Sequence, residues 1–258
     1  MTLRVFAAGL LVAASAAAAP AAEIKIIAPD LPPMIDQSGK GREAEVIART
    51  LAACGHTASF KIEPYGRHFE QYRKDEKADA VTTVSMGLEL PGYPSVTYIH
   101  YQNGASVLKD SGLQVAALDD LKGKRAVTFP AGKDILPGLK AFAPSLAELQ
   151  EKSDQLSHSK MLFAKRVDVV LGDGLIFAEY NRQLRSKAAA LSFDPSQGVV
   201  FTAIFPPTPY VMMFRNEAIR NDFDRCYADL SKRGEIDMIN KAAVEPYRET
   251  VGKNYLND

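Results

Sequence analysis

The chain has 258 residues, with 31 basic and 31 acidic side chains, no tryptophan and two cysteines. No basic block stands out, so the composition favours neither a nucleic acid nor an anionic membrane surface as a partner. The four histidines fall at no metal-ligand spacing, and a zinc site is therefore not predicted.

The first 22 residues have the layout of a secretory signal peptide. Arg4 supplies a positive charge, residues 5–19 are almost wholly apolar, and small residues stand at cleavage spacing at Ala19 and Ala21. The apolar stretch is shorter than the roughly 20 residues that span a bilayer, which favours cleavage over a retained anchor. Either outcome predicts an exported, periplasmic chain, and its remaining part is long enough for one large domain or two smaller ones.

From residue 23 the chain alternates short strand patterns with helical patterns, the order typical of βαβ units on a parallel sheet. In the first helical stretch Ala44, Ile47 and Leu51 recur at intervals of three and four, so they share one face. The first series predicts strands at 23–28, 59–63 and 80–84 and helices at 42–54 and 67–76.

Composition changes at residues 87–103, which are rich in Pro, Gly and Tyr. A second α/β series follows, and Gly234 divides the two helices that end it. This series predicts strands at 105–108, 126–129, 167–171, 199–205 and 210–214 and helices at 155–165, 175–184, 218–232 and 236–243.

Five phrases occur in an order that resembles the amino-acid-type extracellular solute-binding proteins of ABC transporters, called family 3. They are PPM with GKG at 32–41, KADAV at 77–81, DDLKGKRAV at 119–127, RVDVV at 166–170 followed by Asp173, and GEI at 234–236. The DDLKGKRAV phrase is the most specific, because it resembles the usual start of that family's second lobe. The resemblance covers nearly the whole chain after residue 22.

The resemblance implies an α/β fold of the two-lobed type II periplasmic-binding kind, in which each lobe is a mainly parallel sheet flanked by helices. Lobe 1 would be discontinuous, with residues 23–103 and 207–258, and lobe 2 would be residues 104–206. Ligand would bind in the cleft, and two hinge strands would let the lobes close. The implied partners are a small polar organic ligand and an inner-membrane ABC permease, with a monomeric protein and no cofactor.

Candidate ligand residues in the first lobe lie at strand ends and helix starts. Tyr65 can stack on a flat ligand or line the hinge, and Arg67 can offer a planar contact to a carboxylate or phosphate, unless it is simply solvated. Thr82, Thr83 and Ser85 carry hydroxyls at the end of a predicted strand, where threonine is also common without function.

In the second lobe, Gly132 and Lys133 follow a strand and begin a predicted helix, so free backbone N–H groups can form an anion subsite. Asp173 follows the strand at 167–171. The resemblance implies that it meets a ligand's amino group, and the alternative is a helix N-cap for residues 175 onward.

One departure from the family pattern concerns the ligand. Residues 82–91 contain no Arg or Lys, whereas amino-acid-binding relatives usually place there the Arg that holds the ligand's α-carboxylate. The sequence therefore predicts a ligand other than an ordinary α-amino acid. We expect an anionic or strongly hydrogen-bonding group, held between Arg67 and the helix start at Gly132 and Lys133.

The two cysteines leave two interpretations open. Cys54 and Cys226 are each predicted on a helix of the discontinuous first lobe, and an exported chain meets oxidant, so they form either one disulfide or two buried thiols.

The resemblance implies a periplasmic binding protein for an ABC importer rather than an enzyme. One alternative is a sensory or accessory binding protein that docks on a receptor or enzyme. The other is a dehydratase-type enzyme on the same fold, in which Glu89 or Asp173 would act as acid or base. No nucleophile-elbow pattern and no Gly-rich phosphate loop supports catalysis.

Overall fold

The computed structural model describes residues 22–253 and 255–256, so all but the last residue of the predicted signal peptide lies outside it. Its strands are β1 (Glu23–Pro29), β2 (Thr57–Glu63), β3 (Ala80–Ser85), β4 (Tyr93–Pro94), β5 (Ile99–Tyr101), β6 (Asn103–Leu108), β7 (Arg125–Thr128), β8 (Glu148–Glu151), β9 (Val169–Asp173), β10 (Val199–Thr202) and β11 (Thr208–Phe214). Its α-helices are α1 (Arg42–Ala53), α2 (Arg67–Lys74), α3 (Gly132–Ile135), α4 (Leu139–Phe142), α5 (Gln155–Phe163), α6 (Gly174–Arg185), α7 (Glu217–Lys232), α8 (Glu235–Val244) and α9 (Arg248–Val251).

The first sheet has the strand order β2-β1-β3-β11-β4, and β5 also pairs with β11. β1 runs parallel to β2 and β3, whereas β11 returns antiparallel to β3. Ile24, Ile26 and Ile27 of β1 are almost wholly buried, because both faces of this central strand are covered.

The second sheet has the order β10-β6-β9-β7-β8. β7 runs parallel to β8 and β9, and β6 is antiparallel to β9 and β10. The second lobe is built on this sheet, and α5 and α6 contact its central strand β9. The structure therefore has two α/β lobes, as the sequence predicts.

The chain passes between the two sheets at two adjacent connections. Only Gln102 separates β5 of the first sheet from β6 of the second, and residues 203–207 lead from β10 back to β11. The predicted strand at 199–205 is therefore too long. It ends at Thr202, because Ala105 is the last residue of β6 with which β10 pairs.

The C-terminal helices return to the first lobe, where α7 and α8 pack against α1. Cys54, which follows α1, is joined to Cys226 of α7 by a disulfide, with 6.0 Å between the Cα atoms. This bond joins the residue that follows α1 to the helix that follows β11, and β1 and β11 belong to the same sheet. The last helix, α9, instead contacts α6 and β10 of the second lobe. No helix within the described ranges is long and apolar enough to cross a membrane.

Candidate functional site

A small cavity lies between the lobes, where strands of both sheets end and helices begin. Its volume is about 10 Å³, room for about one water molecule. Its lining residues are Leu31, Tyr65, Tyr101, Asn103, Phe129, Gln155, Asp173, Ile176 and Tyr210. Ligand sites of open α/β folds lie at such strand ends, so this closed cleft is the candidate site.

Aromatic rings from both lobes fill most of the cleft. Tyr65, between β2 and α2, meets Phe129, directly after β7, edge to face with ring centroids 6.1 Å apart. Tyr101 and Tyr210 pack against each other on the first lobe, with centroids 4.7 Å apart. Separation of the lobes would part Tyr65 from Phe129 and open a pocket with aromatic walls.

The polar groups of the cleft are amides, hydroxyls and one carboxylate, and no Arg or Lys belongs to the lining within the described residues. Asp173 is 3% exposed and stands at the junction of β9 and α6. Its Oδ1 accepts hydrogen bonds from the backbone N–H groups of Leu175, at 2.9 Å, and Ile176, at 3.1 Å. The helix-cap role considered for Asp173 is thus present, in addition to its place in the cleft.

The other oxygen of Asp173 reaches the C-terminal segment. Tyr255 donates its hydroxyl hydrogen to Asp173 Oδ2 over 2.7 Å, and both groups are buried. Burial raises the pKa of Asp173 to about 6, and the hydrogen bonds from Tyr255 and the helix oppose this rise. A positive charge brought into the cleft would favour the ionised carboxylate.

A second buried carboxyl group, Glu43, lies beneath the cleft at the start of α1. Thr83, Tyr98 and Tyr101 donate their hydroxyls to it, the Thr83 bond measuring 2.8 Å. Burial raises the pKa of Glu43, and these donors oppose the rise. Thr82 hydrogen-bonds to Thr83 at 3.0 Å. The hydroxyls of Thr82 and Thr83 are therefore engaged in the interior of the first lobe.

The two connections between the sheets are tied to each other beside the cavity. Gln102 Nε2 donates to the carbonyl oxygen of Phe205 over 2.7 Å, and Asn103 Nδ2 donates to Thr208 Oγ1 over 2.9 Å. A Cβ atom at Gly104 would collide with the backbone of β10, so glycine permits the close approach of β6 and β10. The paired crossings form a narrow hinge that a few backbone rotations can bend.

Of the eight ligand residues predicted from the sequence, Tyr65 and Asp173 line the cavity and six do not. Arg67 begins α2, as expected, but its side chain is exposed and has no hydrogen-bond or ion-pair partner in the described part of the chain. Ser85 is half-buried at the end of β3.

The predicted anion subsite on the second lobe already has a negative group beside it. The backbone N–H of Lys133 donates to Glu151 Oε1 over 3.0 Å, and the helix that it opens has only four residues. Gly132 is buried against Thr128, and a Cβ there would collide with that side chain. Ligand contacts by Arg67, Gly132 and Lys133 therefore stay predictions.

Sequence reasoning missed most of the cavity lining, although a signal was present. Phe129 ends a predicted strand and Gln155 begins a predicted helix, the positions where α/β folds place ligand contacts. No comparable signal marks Tyr101 and Tyr210, which the pairing of β5 with β11 brings together. Within the described ranges, no group of three or more His, Cys, Asp or Glu side chains could hold a metal ion.

Comparison with known proteins identifies the fold of the chain but does not assign it to a family. No family model and no curated protein sequence matches the chain. Solved structures match over 86% of this chain. One is an ancestral arginine-binding protein bound to arginine, with a TM-score of 0.68, 19% identity and 97% of its own length covered.

Two further matches have different biological contexts. The probable amino-acid ABC transporter extracellular-binding protein ytmK from Bacillus subtilis has a TM-score of 0.66 and 17% identity over 98% of its length. A histidine kinase sensor domain similar to periplasmic binding proteins has a TM-score of 0.65 and 18% identity over 96% of its length. The chain therefore has the two-lobed α/β fold of periplasmic binding proteins.

Proposed function

We propose that the chain is a periplasmic solute-binding protein that captures a small polar organic solute between its lobes and delivers it to an ABC importer. The observation that carries this proposal is the cleft: both lobes contribute its lining, and two paired crossings form a hinge beside it. We place the lobe boundaries at these crossings. The N-terminal segment would direct export, and the monomer would meet the permease after closure.

The chemistry of the lining favours a small organic cation as the solute. Four aromatic rings surround the cavity, and Asp173 is its single carboxylate in the described lining. A cation over an aromatic face gains about 0.5–2 kcal/mol, and aromatic walls are the usual means of holding alkylammonium groups. Asn103 and Gln155 can bind a polar group at the other end of the solute.

Ligand binding would act through the equilibrium between open and closed forms. The closed cavity admits about one water, so a solute must enter the open form and move the rings apart. It can favour closure only by its difference in affinity for the two forms. Contacts made by Phe129 and Asp173 on one lobe, and by Tyr65 on the other, supply that difference.

A thermal-shift screen of the exported chain tests the proposal. The panel would hold quaternary and primary amines, basic amino acids, neutral amino acids, polyols and dicarboxylates. A ligand of the native state raises the melting temperature, and at 100 times its Kd it adds about 2.7 kcal/mol of stability. We expect the organic cations to raise the melting temperature. A response to neutral solutes alone would show that the solute is neutral and not a cation. The absence of a response to every class would contradict the binding function.

The sensor-domain match supports a second candidate function, in which the closed form docks on a receptor. Uptake of the labelled solute by cells with and without the protein separates the two. Loss of uptake supports import, whereas unchanged uptake with loss of a solute response supports sensing. Consumption of the solute by the purified protein would instead support the dehydratase-type alternative.

A further inference from the structure

A larger pocket lies outside the cleft, between α1, α7, α8 and the chain near β5. Its volume is about 300 Å³, enough for a small metabolite. The charged groups of its described lining are Arg42, Asp237, Lys241 and Arg248. Three of these side chains are permanently cationic and one is a carboxylate, so the pocket carries an excess of positive charge.

Arg42 is the unusual member of this group because it is only 3% exposed. Its Nε donates to Asn240 Oδ1 over 2.9 Å, and its Nη1 donates to the carbonyl oxygen of His100 over 3.0 Å. Its Nη2 makes no hydrogen bond within the described residues. A buried charge usually has a partner of opposite charge, because removal from water costs several kcal/mol.

No described carboxylate lies within 4 Å of this guanidinium, the distance that defines an ion pair. Asp173 is near enough for the charge of Arg42 to oppose the rise of its pKa, but it makes no hydrogen bond to Arg42. A buried guanidinium that meets no carboxylate in the described chain is suited to an oxyanion, which it can contact in a planar geometry.

Lys241 provides a second positive group at the mouth of the pocket. Its side chain is exposed and forms no ion pair with another residue of the described chain. Arg248 is already engaged, since its Nη1 donates to the carbonyl oxygen of Gly252 over 3.3 Å and its Nε lies 3.9 Å from Glu245 Oε2. The pocket is therefore lined by one buried guanidinium and one exposed ammonium group.

We propose that this pocket binds a small solute through a carboxylate or phosphate group, held by Arg42 and Lys241. The site is separate from the cleft, whose described lining has no cation. Tyr255 lines the pocket and also donates to Asp173, so the occupied pocket would support the closed form from behind the hinge. This inference does not depend on the identity of the cleft solute.

Calorimetric titration with inorganic phosphate and with succinate tests the site, with sodium chloride at equal ionic strength as the reference. We expect one of the two oxyanions to bind, and the comparison shows whether phosphate or carboxylate is preferred. Lys241→Ala should weaken binding about tenfold, which corresponds to about 1.4 kcal/mol. Lys122→Ala, another exposed lysine without an ion pair in the described chain, is the matched control and should bind as the unmodified chain does.

Arg42→Lys keeps the charge and removes the planar fork, so it should weaken binding further than Lys241→Ala. If that variant does not fold, the comparison of Lys241→Ala with Lys122→Ala still tests the proposal. Equal affinity in Lys241→Ala and Lys122→Ala, or heat no greater than that of chloride, would overturn the proposal.

Discussion

The hydroxyl of Tyr255 donates to the carboxylate of Asp173 over 2.7 Å, and it thereby joins the C-terminal segment to the end of β9 in the second lobe. The chain reaches this point from the first lobe through α8 and α9. The bond therefore ties the C-terminal segment, which packs on the second lobe through α9, to the one carboxylate of the described cleft lining.

Tyr255→Phe should destabilise the protein by about 1–3 kcal/mol at pH 7. The substitution leaves one buried oxygen of Asp173 without its donor, and an unsatisfied buried acceptor costs about that much. It should also raise the pKa of Asp173, because the Tyr255 bond lowers it. Urea unfolding at pH 7 and pH 5 measures both effects, and the loss should be smaller at pH 5.

Tyr247→Phe is the matched control for this substitution. Tyr247 donates to Glu179 Oε2 over 2.7 Å, but Arg182 and Gln183 also bind that carboxylate. Without Tyr247, Glu179 Oε2 keeps the Arg182 donor, whereas without Tyr255, Asp173 Oδ2 has no other donor in the described chain, so Tyr247→Phe should cost less. Equal losses in the two variants would show that the bond to Asp173 contributes no more to stability than the bond to Glu179.

Asp173 should make the free energy of unfolding depend on pH, and the Asp173→Asn variant should lack this dependence. Burial raises its pKa from 3.8 to about 6, so the folded state binds its proton more tightly than the unfolded state does. This contribution to stability is complete below about pH 4 and is lost as the pH rises through 6. The shift corresponds to at most about 3 kcal/mol.

Asp173→Asn keeps a capping oxygen for α6 and cannot ionise. Its stability relative to the unmodified chain should therefore rise between pH 4 and pH 7, as followed by urea unfolding across that range. In the unmodified chain, the affinity for an organic cation should decrease as the pH falls below 6, because Asp173 then takes up its proton. A constant stability difference between the two proteins over this range would contradict the raised pKa.

Phe129→Leu should weaken binding of an organic cation by about 1–2 kcal/mol, because one aromatic wall is lost while the site stays apolar. The measurement is calorimetric titration with the most effective amine of the thermal-shift panel. Phe142→Leu is the control, since Phe142 is a partly buried ring of the same lobe outside the cavity lining. Equal affinity in both variants would exclude Phe129 as a cation contact.

The main elements of the fold were predictable because their periodicity is strong. The helices at 155–165, 175–184 and 218–232 agree with α5, α6 and α7 to within about two residues at each end. Strand β8 was not predicted, since Glu148–Glu151 has one apolar side chain and its place at the sheet edge comes from pairing with β7.

The site was less predictable, because sequence position does not fix what lies across a cleft. Tyr65 and Asp173, the two predicted residues that line the cavity, each stand next to an element boundary. The interior position of the Thr83 hydroxyl could not be predicted, because this hydroxyl donates to Glu43, which is forty residues away in sequence. Nothing in the local sequence indicated that Arg42 is buried, because its burial results from the packing of α8 against α1.

The disulfide should make a large contribution to stability. Cys54 and Cys226 are 172 positions apart, and cross-linking a loop of this length gives about 4–5 kcal/mol in the chain-entropy model, an upper value. Denatured, unreduced protein should show no reactive thiols. Replacement of both cysteines by serine should lower the urea midpoint, and two thiols in the unreduced protein would contradict the bond.

Arg67→Ala distinguishes the cation-binding cleft from the anion subsite that the sequence predicts. Arg67 is exposed and has no partner in the described chain, so its removal should change the free energy of unfolding by less than about 0.5 kcal/mol. Its position outside the aromatic cavity predicts an unchanged Kd for an organic cation. If the guanidinium instead formed a charged hydrogen bond to the solute in the closed form, Arg67→Ala would lose about 1.5–3 kcal/mol of binding. Calorimetric titration of this variant beside Asp173→Asn separates the two outcomes: a loss in Asp173→Asn alone supports the cation, and a loss in Arg67→Ala alone supports an anion at the rim.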